Sequence, residues 1–357
     1  MQGISSSDHS MNRMKLPAAI IGKHSDSRTR RAEVTIESPQ DATLVRRELV
    51  WYVAITYASS YVFAVLAARH GGLSSFPALP LAMLVPWIAA VVVGRFARRP
   101  AVPPSLGFRI GRVKYWIIAP LAMLVLWACV FAISYAVHPA AYIGGWAELT
   151  VNVGKLRNIP PVGGTSTRLG LAYLLTIVVG PVLNIPIFLG EEVGWRGFMV
   201  PRLVALFGRR GLIIGGCIWA LWHTPFILIG QNYPDHPLLG HLIWVPFCIA
   251  FGIILQTVYV RSRSIFPTAL CHGLTNQFAM LTLSVFAVQS RFIDLLDGPA
   301  GVVAVVILTV PAVWCYRRFP LRYDVAPFSD PWVKADPDKV PSAVGRDALT
   351  LGVIASV

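Results

Sequence analysis

Charged residues are scarce in this chain of 357 residues, because Asp, Glu, Lys and Arg together make up only 13% of it. A soluble domain ordinarily carries about 25%. Hydrophobic residues account for 55%, and the mean hydropathy is +0.61. This composition excludes a disordered chain and an ordinary water-soluble enzyme. The net charge of +14 leaves two classes open, namely a nucleic-acid binder and a membrane protein with its basic residues on one side.

Several other signatures are missing. The five cysteines include no CxxC pair and all lie in apolar runs, which argues against a disulfide framework and a zinc ribbon. The first fifty residues lack the apolar core of a cleavable signal peptide. No GxSxG nucleophile elbow and no internal repeat occurs. Serine hydrolase chemistry therefore has no support, and an inverted-repeat transporter is disfavoured.

What the chain does contain is a series of apolar runs of about 20 residues, the length that a membrane helix needs. They predict an all-α, polytopic membrane bundle with about eight transmembrane helices. Residues 1–49 are expected to be a disordered cytosolic tail, 50–318 the membrane domain with its motif-bearing core at 169–289, and 319–357 a second cytosolic tail. The predicted spans are 50–68, 77–94, 115–137, 169–190, 211–230, 239–260, 264–289 and 298–316.

The basic residues follow an alternating pattern along these spans. Of the 31 Lys and Arg residues, 26 lie in the two tails and in the connections 95–114, 191–210 and 261–263. The alternate connections hold the other five. The positive-inside rule produces this pattern when both termini are cytosolic. The charge is therefore a topology signal, and we expect no nucleic-acid partner; the localisation predicted is the cell membrane, with lipids as partners.

Ionisable residues inside membrane segments are costly and rare, so each one is a functional candidate. Three groups stand out in otherwise apolar runs. Each group contains two residues that are four positions apart, a helical spacing that places both on one helix face, where they can interact. The three groups are Glu191, Glu192 and Arg196; Trp219 and His223; and His272 and Asn276.

The spacing divides the two carboxylates into different roles. Glu192 and Arg196 can form a structural ion pair, whereas Glu191 points about 100° away and is the candidate chemical carboxylate. His223 and His272 both lie roughly 12–18 Å from the cytosolic ends of their helices at 1.5 Å per residue. We therefore expect these groups to meet in one cavity that opens to the cytosol.

A carboxylate, two imidazoles and an amide suit the hydrolysis of an amide bond. The carboxylate can take a proton from water, a histidine can hold that water or share its proton, and His and Asn donors can stabilise an oxyanion. The set Glu191, His223 and His272 is also chemically adequate for a catalytic zinc ion. The residues leave these two schemes open and indicate no nucleotide or organic cofactor.

These motifs, in this order, resemble the CPBP group of intramembrane proteases. The group includes the CAAX prenyl endopeptidases and the bacterial Abi, or bacteriocin-immunity-type, proteins. The resemblance spans about residues 185–280 and includes the lead-in 264–270, Ser-Ile-Phe-Pro-Thr-Ala-Leu. The second motif departs from the family, which usually has Phe where this chain has Trp219.

The resemblance implies an intramembrane protease, either a metalloprotease or a glutamate-dependent enzyme. It assigns water activation to Glu191 and His223, oxyanion binding to His272 and Asn276, and bracing to Glu192 and Arg196. The implied substrate is a membrane-anchored peptide or protein, prenylated at a CAAX motif in some members. Two alternatives remain, a non-catalytic immunity or scaffold protein and a proton-coupled transporter. The sequence indicates no oligomeric state.

Overall fold

The computed structural model describes residues 39–73, 76, 78–97, 106–139, 175, 179–285, 293–298 and 300–319. Within these ranges the chain is helical and contains no strand, which confirms the predicted all-α class. Of the predicted tails 1–49 and 319–357, residues 1–38 and 320–357 lie outside the described residues. The elements are α1 Pro39–Arg69, a 3₁₀ helix Leu79–Leu84, α2 Val85–Phe96, α3 Tyr115–Val137, α4 Ile185–Glu192, a π-helix Val193–Met199, α5 Val200–Phe207, α6 Arg210–Trp222, α7 Thr224–Leu228, α8 Pro237–Ser262, α9 Phe266–Val285, α10 Ile293–Leu296 and α11 Val302–Arg318.

Three of these helices are long and apolar enough to cross a membrane. They are α1, α3 and α8, with hydropathies of 1.7, 2.5 and 2.3 over their most apolar stretches. The apolar segments Pro80–Phe96 and Arg210–Trp222 are shorter. Many large apolar side chains on α1 and α3 are exposed, including Val62, Val65 and Val125, as expected of surfaces that face lipid.

Several element boundaries differ from the prediction. Helix α1 begins at Pro39 rather than at residue 50, so residues 39–49 are helical rather than part of a disordered tail. The predicted span 211–230 is broken at His223, because α6 ends there and α7 begins with Pro225 in its first turn. Proline lacks a backbone N–H and fits the start of a helix better than its interior.

The long apolar stretch 169–207 is interrupted twice. Residues 169–174 and 176–178 lie outside the described part, but the helical residues 179–183 end at Asn184, and α4 begins immediately before Pro186. Pro181 and Pro186 lie on either side of this break at Asn184. The sequence did not predict the π-helix that follows Glu192, in which the Val200 N–H bonds to the Trp195 carbonyl five residues back.

Two glycines allow the motif-bearing helix to lie directly against the segment before it. A Cβ added to Gly190 would lie 2.3 Å from the carbonyl oxygen of Met83, and one added to Gly194 would lie 2.4 Å from Cβ of Pro86. Both distances are far below van der Waals contact. The Gly190-xxx-Gly194 spacing is thus a packing device that sets the position of the adjacent carboxylates.

We expect Gly194→Ala to destabilise the protein, because the new methyl group meets the backbone of Pro86 and cannot be accommodated by a rotamer change. Overpacking of this kind typically costs about 1–3 kcal/mol. The thermal unfolding midpoint of the detergent-solubilised protein measures the effect. Gly252→Ala is the matched control, because its new Cβ would lie at least 3.7 Å from any neighbour outside its own helix. Equal midpoints for the two variants would contradict this account of the packing.

Candidate active site

Two adjacent carboxylates at the end of α4 form the centre of the candidate site. Glu191 is 2% exposed and Glu192 is fully buried. The π-helix that follows supplies one partner to each at a spacing of four residues. Trp195 Nε1 donates to Oε2 of Glu191 at 3.1 Å, and Arg196 Nη1 donates to Oε1 of Glu192 at 2.9 Å. Each carboxylate therefore has its own local donor.

Glu191 receives a second indole from another helix. Trp219 on α6 donates from Nε1 to the same Oε2 atom at 2.8 Å. Two neutral N–H groups thus hold one oxygen of this carboxylate in place, and no cation among the described residues pairs with it. This leaves Oε1 as the oxygen that can accept from water or substrate. Because phenylalanine has no N–H, the Trp219 contact is unavailable to family members with Phe at this position.

Glu192 belongs to a separate, fully buried network. Its Oε1 accepts from Arg196 and lies 2.7 Å from Nδ1 of His272 on α9. The Arg196 guanidinium stacks on the ring of Trp219, with its carbon 4.0 Å from the ring centroid. The predicted Glu192–Arg196 pair is present. The sequence did not predict that the same carboxylate orients His272.

The two histidines each present one ring nitrogen to a structural acceptor. His223 Nδ1 lies 2.9 Å from the carbonyl oxygen of Trp219. Since a carbonyl only accepts, Nδ1 carries the proton, and Nε2 is the nitrogen left for chemistry. His272 is held at Nδ1 by Glu192 in the same way. Both imidazoles also contact the Trp219 ring edge-to-face, at centroid distances of 5.8 and 5.6 Å.

One cavity of about 420 Å³ brings the predicted residues together. Its wall includes all four candidates for catalysis together with Trp219, while Glu192 and Arg196 lie behind that wall. Aromatic side chains form much of the remaining surface. The candidate residues on the wall are Glu191, His223, His272 and Asn276, and the aromatic ones are Phe188, Trp222, Phe226, Trp244, Phe247 and Phe251.

The cavity extends in a direction that we did not expect. From the sequence we expected an opening toward the cytosol. The lining continues instead to Gln231, Asn232 and Ala300, which lie in connections at the other end of the bundle. The depth of the histidines from the cytosolic helix ends was compatible with either direction, so spacing alone could not distinguish them.

The residues proposed for a zinc ion are Glu191, His223 and His272. In the part of the chain that the structure describes, no three His, Cys, Asp or Glu side chains are placed to share one ion. Oε2 of Glu191 is occupied by two indole donors, and Nδ1 of each histidine is bonded elsewhere. These bonds leave Oε1 of Glu191 and Nε2 of each histidine as the atoms that could bind a metal, and metal-binding histidines are commonly oriented in this way. Zinc dependence therefore stays a prediction.

Trp195 is the residue at this site that the sequence reasoning missed. It is fully buried, it donates to Glu191, and its ring contacts Tyr52 of α1 at 5.6 Å. The available signal was its position four residues after Glu191, the same spacing that identified Glu192 and Arg196. A tryptophan in an apolar run normally packs in the core, so its N–H was not expected to donate to Glu191.

A helical bundle with membrane-length apolar helices and a buried Glu-His-His-Asn cavity defines a membrane protein with a hydrolase-like site. Residues 167–278 match the family of type II CAAX prenyl endopeptidases described as Rce1-like. This segment contains every candidate residue named above. The match confirms the resemblance found from the motifs.

A relative in the archaea shows the same likeness. The chain is 29% identical over 93 residues to a protein named CAAX prenyl protease 2 from Methanococcus maripaludis. The matched region covers 24% of this chain and 34% of that protein. The chain therefore matches about a third of the relative's length.

The buried network predicts a large effect of removing its cation. Arg196→Met keeps much of the side-chain volume but leaves Glu192 buried without its guanidinium, which typically costs about 3–5 kcal/mol. We expect a clear fall in the thermal unfolding midpoint in detergent. Arg210→Met, at an exposed position at the start of α6, should leave the midpoint nearly unchanged. An unchanged midpoint for Arg196→Met would mean that the pair is not needed for folding.

Proposed function

We propose that this protein is an intramembrane endopeptidase that hydrolyses peptide bonds in membrane-associated substrates. The observation that carries the proposal is the convergence of Glu191, His223, His272 and Asn276 on one cavity. The match of the same segment to the Rce1-like family supports the reaction class. The match covers residues 167–278, the segment that carries all four of these residues.

Glu191 is proposed to activate the attacking water. The two indole N–H groups at Oε2 fix the carboxylate without neutralising it, so Oε1 can accept the proton from water. His223 lines the same cavity, and its Nε2 is the ring nitrogen not engaged by the Trp219 carbonyl. It can hold the water or share its proton.

His272 and Asn276 are proposed to stabilise the tetrahedral intermediate. They lie one helical turn apart on α9, and both line the cavity. Glu192 fixes the orientation of the His272 ring through Nδ1. In the imidazolium form this ring donates from both nitrogens, to Glu192 and to the oxyanion, while the Asn276 amide supplies a second donor. Donors that are fixed before the reaction lower the barrier most effectively.

The proposed substrate is a membrane-anchored peptide or protein. The cavity wall combines a few polar groups with several aromatic rings, which suits an apolar segment beside a scissile amide. A prenylated CAAX-type substrate is one member of this class and is suggested by the name of the archaeal relative. Membrane lipids are expected to surround the exposed apolar faces of α1 and α3.

Glu191→Gln should abolish cleavage of a membrane-anchored reporter peptide by the purified protein, because the amide cannot accept the proton from water. A general base contributes about 10²–10⁴-fold to the rate. The measurement is kcat in detergent, with circular dichroism to confirm folding. Asp235→Asn is the matched control, since Asp235 is exposed and is not part of the cavity wall. Full activity of the Glu191 variant would refute the mechanism, whereas absence of cleavage by the wild-type protein would favour a non-catalytic scaffold.

Metal analysis of the same preparations separates the two chemical schemes. The proposed mechanism expects active wild-type protein without stoichiometric zinc. Activity that follows zinc content, together with zinc loss in the Glu191 variant, would replace the glutamate-activated water with a metal centre.

Trp219→Phe should lower kcat with little change in KM, because it removes one of the two donors to Glu191 but keeps the aromatic wall. A hydrogen bond to a charged group is worth about 1.5–3 kcal/mol, so we expect a decrease of roughly tenfold or more. Trp51→Phe is the control, since Trp51 is exposed on α1 and is not part of the cavity wall. Equal kcat values for the two variants would remove Trp219 from the mechanism.

A further inference from the structure

Three polar atoms in the cavity wall have no hydrogen-bond partner within the described part of the chain. They are Oε1 of Gln231, Oε1 of Gln277 and Nε1 of Trp244, and all three atoms are buried. Buried polar atoms in native proteins nearly always have a partner, because an unpaired one has lost its bonds to water without replacement. Exceptions that line a cavity therefore point to a ligand that supplies the missing bonds.

Each of these three residues lies near a candidate for catalysis. The Trp244 ring contacts the His223 ring edge-to-face, with the two centroids 4.8 Å apart. Gln277 directly follows Asn276 on α9. Gln231 lies on the turn after α7, the short helix that begins next to His223. A substrate whose scissile bond lies at the catalytic candidates therefore contacts the wall that carries the three unpaired atoms.

The turn that carries Gln231 has a well-defined backbone. Gly230 and Asn232 have φ angles of 98° and 62°, in the left-handed region that glycine and asparagine adopt most readily. The Gln231 N–H donates to the Phe226 carbonyl at 3.0 Å, and the Tyr233 N–H donates to the Gln231 carbonyl at 2.7 Å. These bonds fix the position from which the Gln231 side chain reaches the cavity wall.

Tyr233 anchors this turn to two other parts of the bundle. Its side chain is fully buried, and its hydroxyl donates to the Ala300 carbonyl at 2.7 Å. The ring packs so closely on α8 that a Cβ at Gly240 would overlap it. It also contacts the Trp244 ring at a centroid distance of 6.4 Å. Groups that are held in place before binding lose little further freedom when a ligand arrives.

Gln277 has room for its amide because the neighbouring segment carries a glycine. A Cβ at Gly180 would lie 2.9 Å from Nε2 of Gln277, closer than van der Waals contact allows. A larger side chain at residue 180 would therefore displace the amide. The backbone of Gly180 thus supports one side of this amide, which forms part of the cavity wall.

Two acceptors and one donor are complementary to the main chain of a peptide. The oxygen of a glutamine amide accepts from a main-chain N–H, and an indole N–H donates to a main-chain carbonyl. In bound extended peptides, main-chain hydrogen bonds supply affinity and pockets for the side chains supply specificity. The aromatic rings of the same wall are suited to the second task.

We propose that Gln231, Gln277 and Trp244 form a subsite that binds the main chain of the substrate beside its scissile bond. The inference rests on the proposed function, because it takes a peptide to be the substrate. The two glutamines accept from main-chain N–H groups, and Trp244 donates to a main-chain carbonyl. The segment is thereby held in place next to the catalytic candidates, and its side chains contact the aromatic wall.

Replacing single amides of the reporter peptide by esters tests this subsite, because each ester removes one N–H and changes the shape of the chain little. Gln277→Met and Gln231→Met should each raise KM for the all-amide peptide by about three- to tenfold with little change in kcat, as expected for one uncharged hydrogen bond. Gln40→Met, at an exposed position in the first turn of α1, is the matched control and should leave KM unchanged.

The coupling between protein and substrate changes is the decisive result. For each glutamine variant we expect one ester position at which the variant no longer raises KM, since the bond that it removes is already absent. An equal rise in KM for the amide and all ester peptides would show a structural role only and would overturn the proposal, as would an unchanged KM. Circular dichroism checks folding, and the second glutamine variant serves if the first does not fold.

Binding separates this inference from the proposed function. If the wild-type protein does not cut the all-amide peptide, the endopeptidase proposal fails, and the Kd of the same peptide with a fluorescent label tests the subsite. Weaker binding by both glutamine variants, lost with one of the ester peptides, would support the subsite without cleavage. The subsite is refuted if the wild-type protein does not bind the peptide, or if it binds no more tightly than the variants.

Discussion

The buried ion pair between Arg196 and Glu192 is the interaction on which the rest of the site depends. Both side chains are almost fully removed from solvent, and a lone charge in such a place would be very costly. The pair also connects three separate elements, because Glu192 holds His272 of α9 and Arg196 stacks on Trp219 of α6. One ion pair thus fixes the positions of two other candidate side chains, while none of the described cations pairs with the neighbouring Glu191.

The π-helix explains how two adjacent carboxylates obtain different surroundings. Glu191 and Glu192 are the last two residues of α4, and each finds its local partner four residues later within Val193–Met199. Glycines at 190 and 194 bring this segment against Met83 and Pro86, so its wider turn is held from one side by backbone contact. π-Helical turns often occur at functional sites. Here the turn directs an indole to one carboxylate and a guanidinium to the other.

Polar residues at helical spacing in apolar runs were enough to identify the site, because burying them without a function or a partner would be costly. The pairing of Glu192 with Arg196 and the four residues that share the cavity could be predicted in this way. The contacts of Trp195 and Trp219 with Glu191 could not, since an indole in an apolar run is normally core. Neither could the break at His223 or the π-helix, which depend on how α4, α6 and α9 pack. The class of fold followed from composition, but the direction of the cavity required coordinates.

The two ends of the bundle differ in how completely their polar groups are hydrogen-bonded. The half with the basic connections is held by backbone hydrogen bonds across 107, 112, 262 and 265 and by the Glu48–Arg202 ion pair at 2.7 Å. Such contacts give a rigid base against which Glu191 and His272 are oriented. The other half leaves polar atoms of Gln231, Gln277 and Trp244 without partners, which costs stability unless a ligand supplies the missing hydrogen bonds. The well-bonded contacts thus lie at the end that orients the catalytic candidates. The polar atoms without partners lie in the cavity wall, where a substrate would bind.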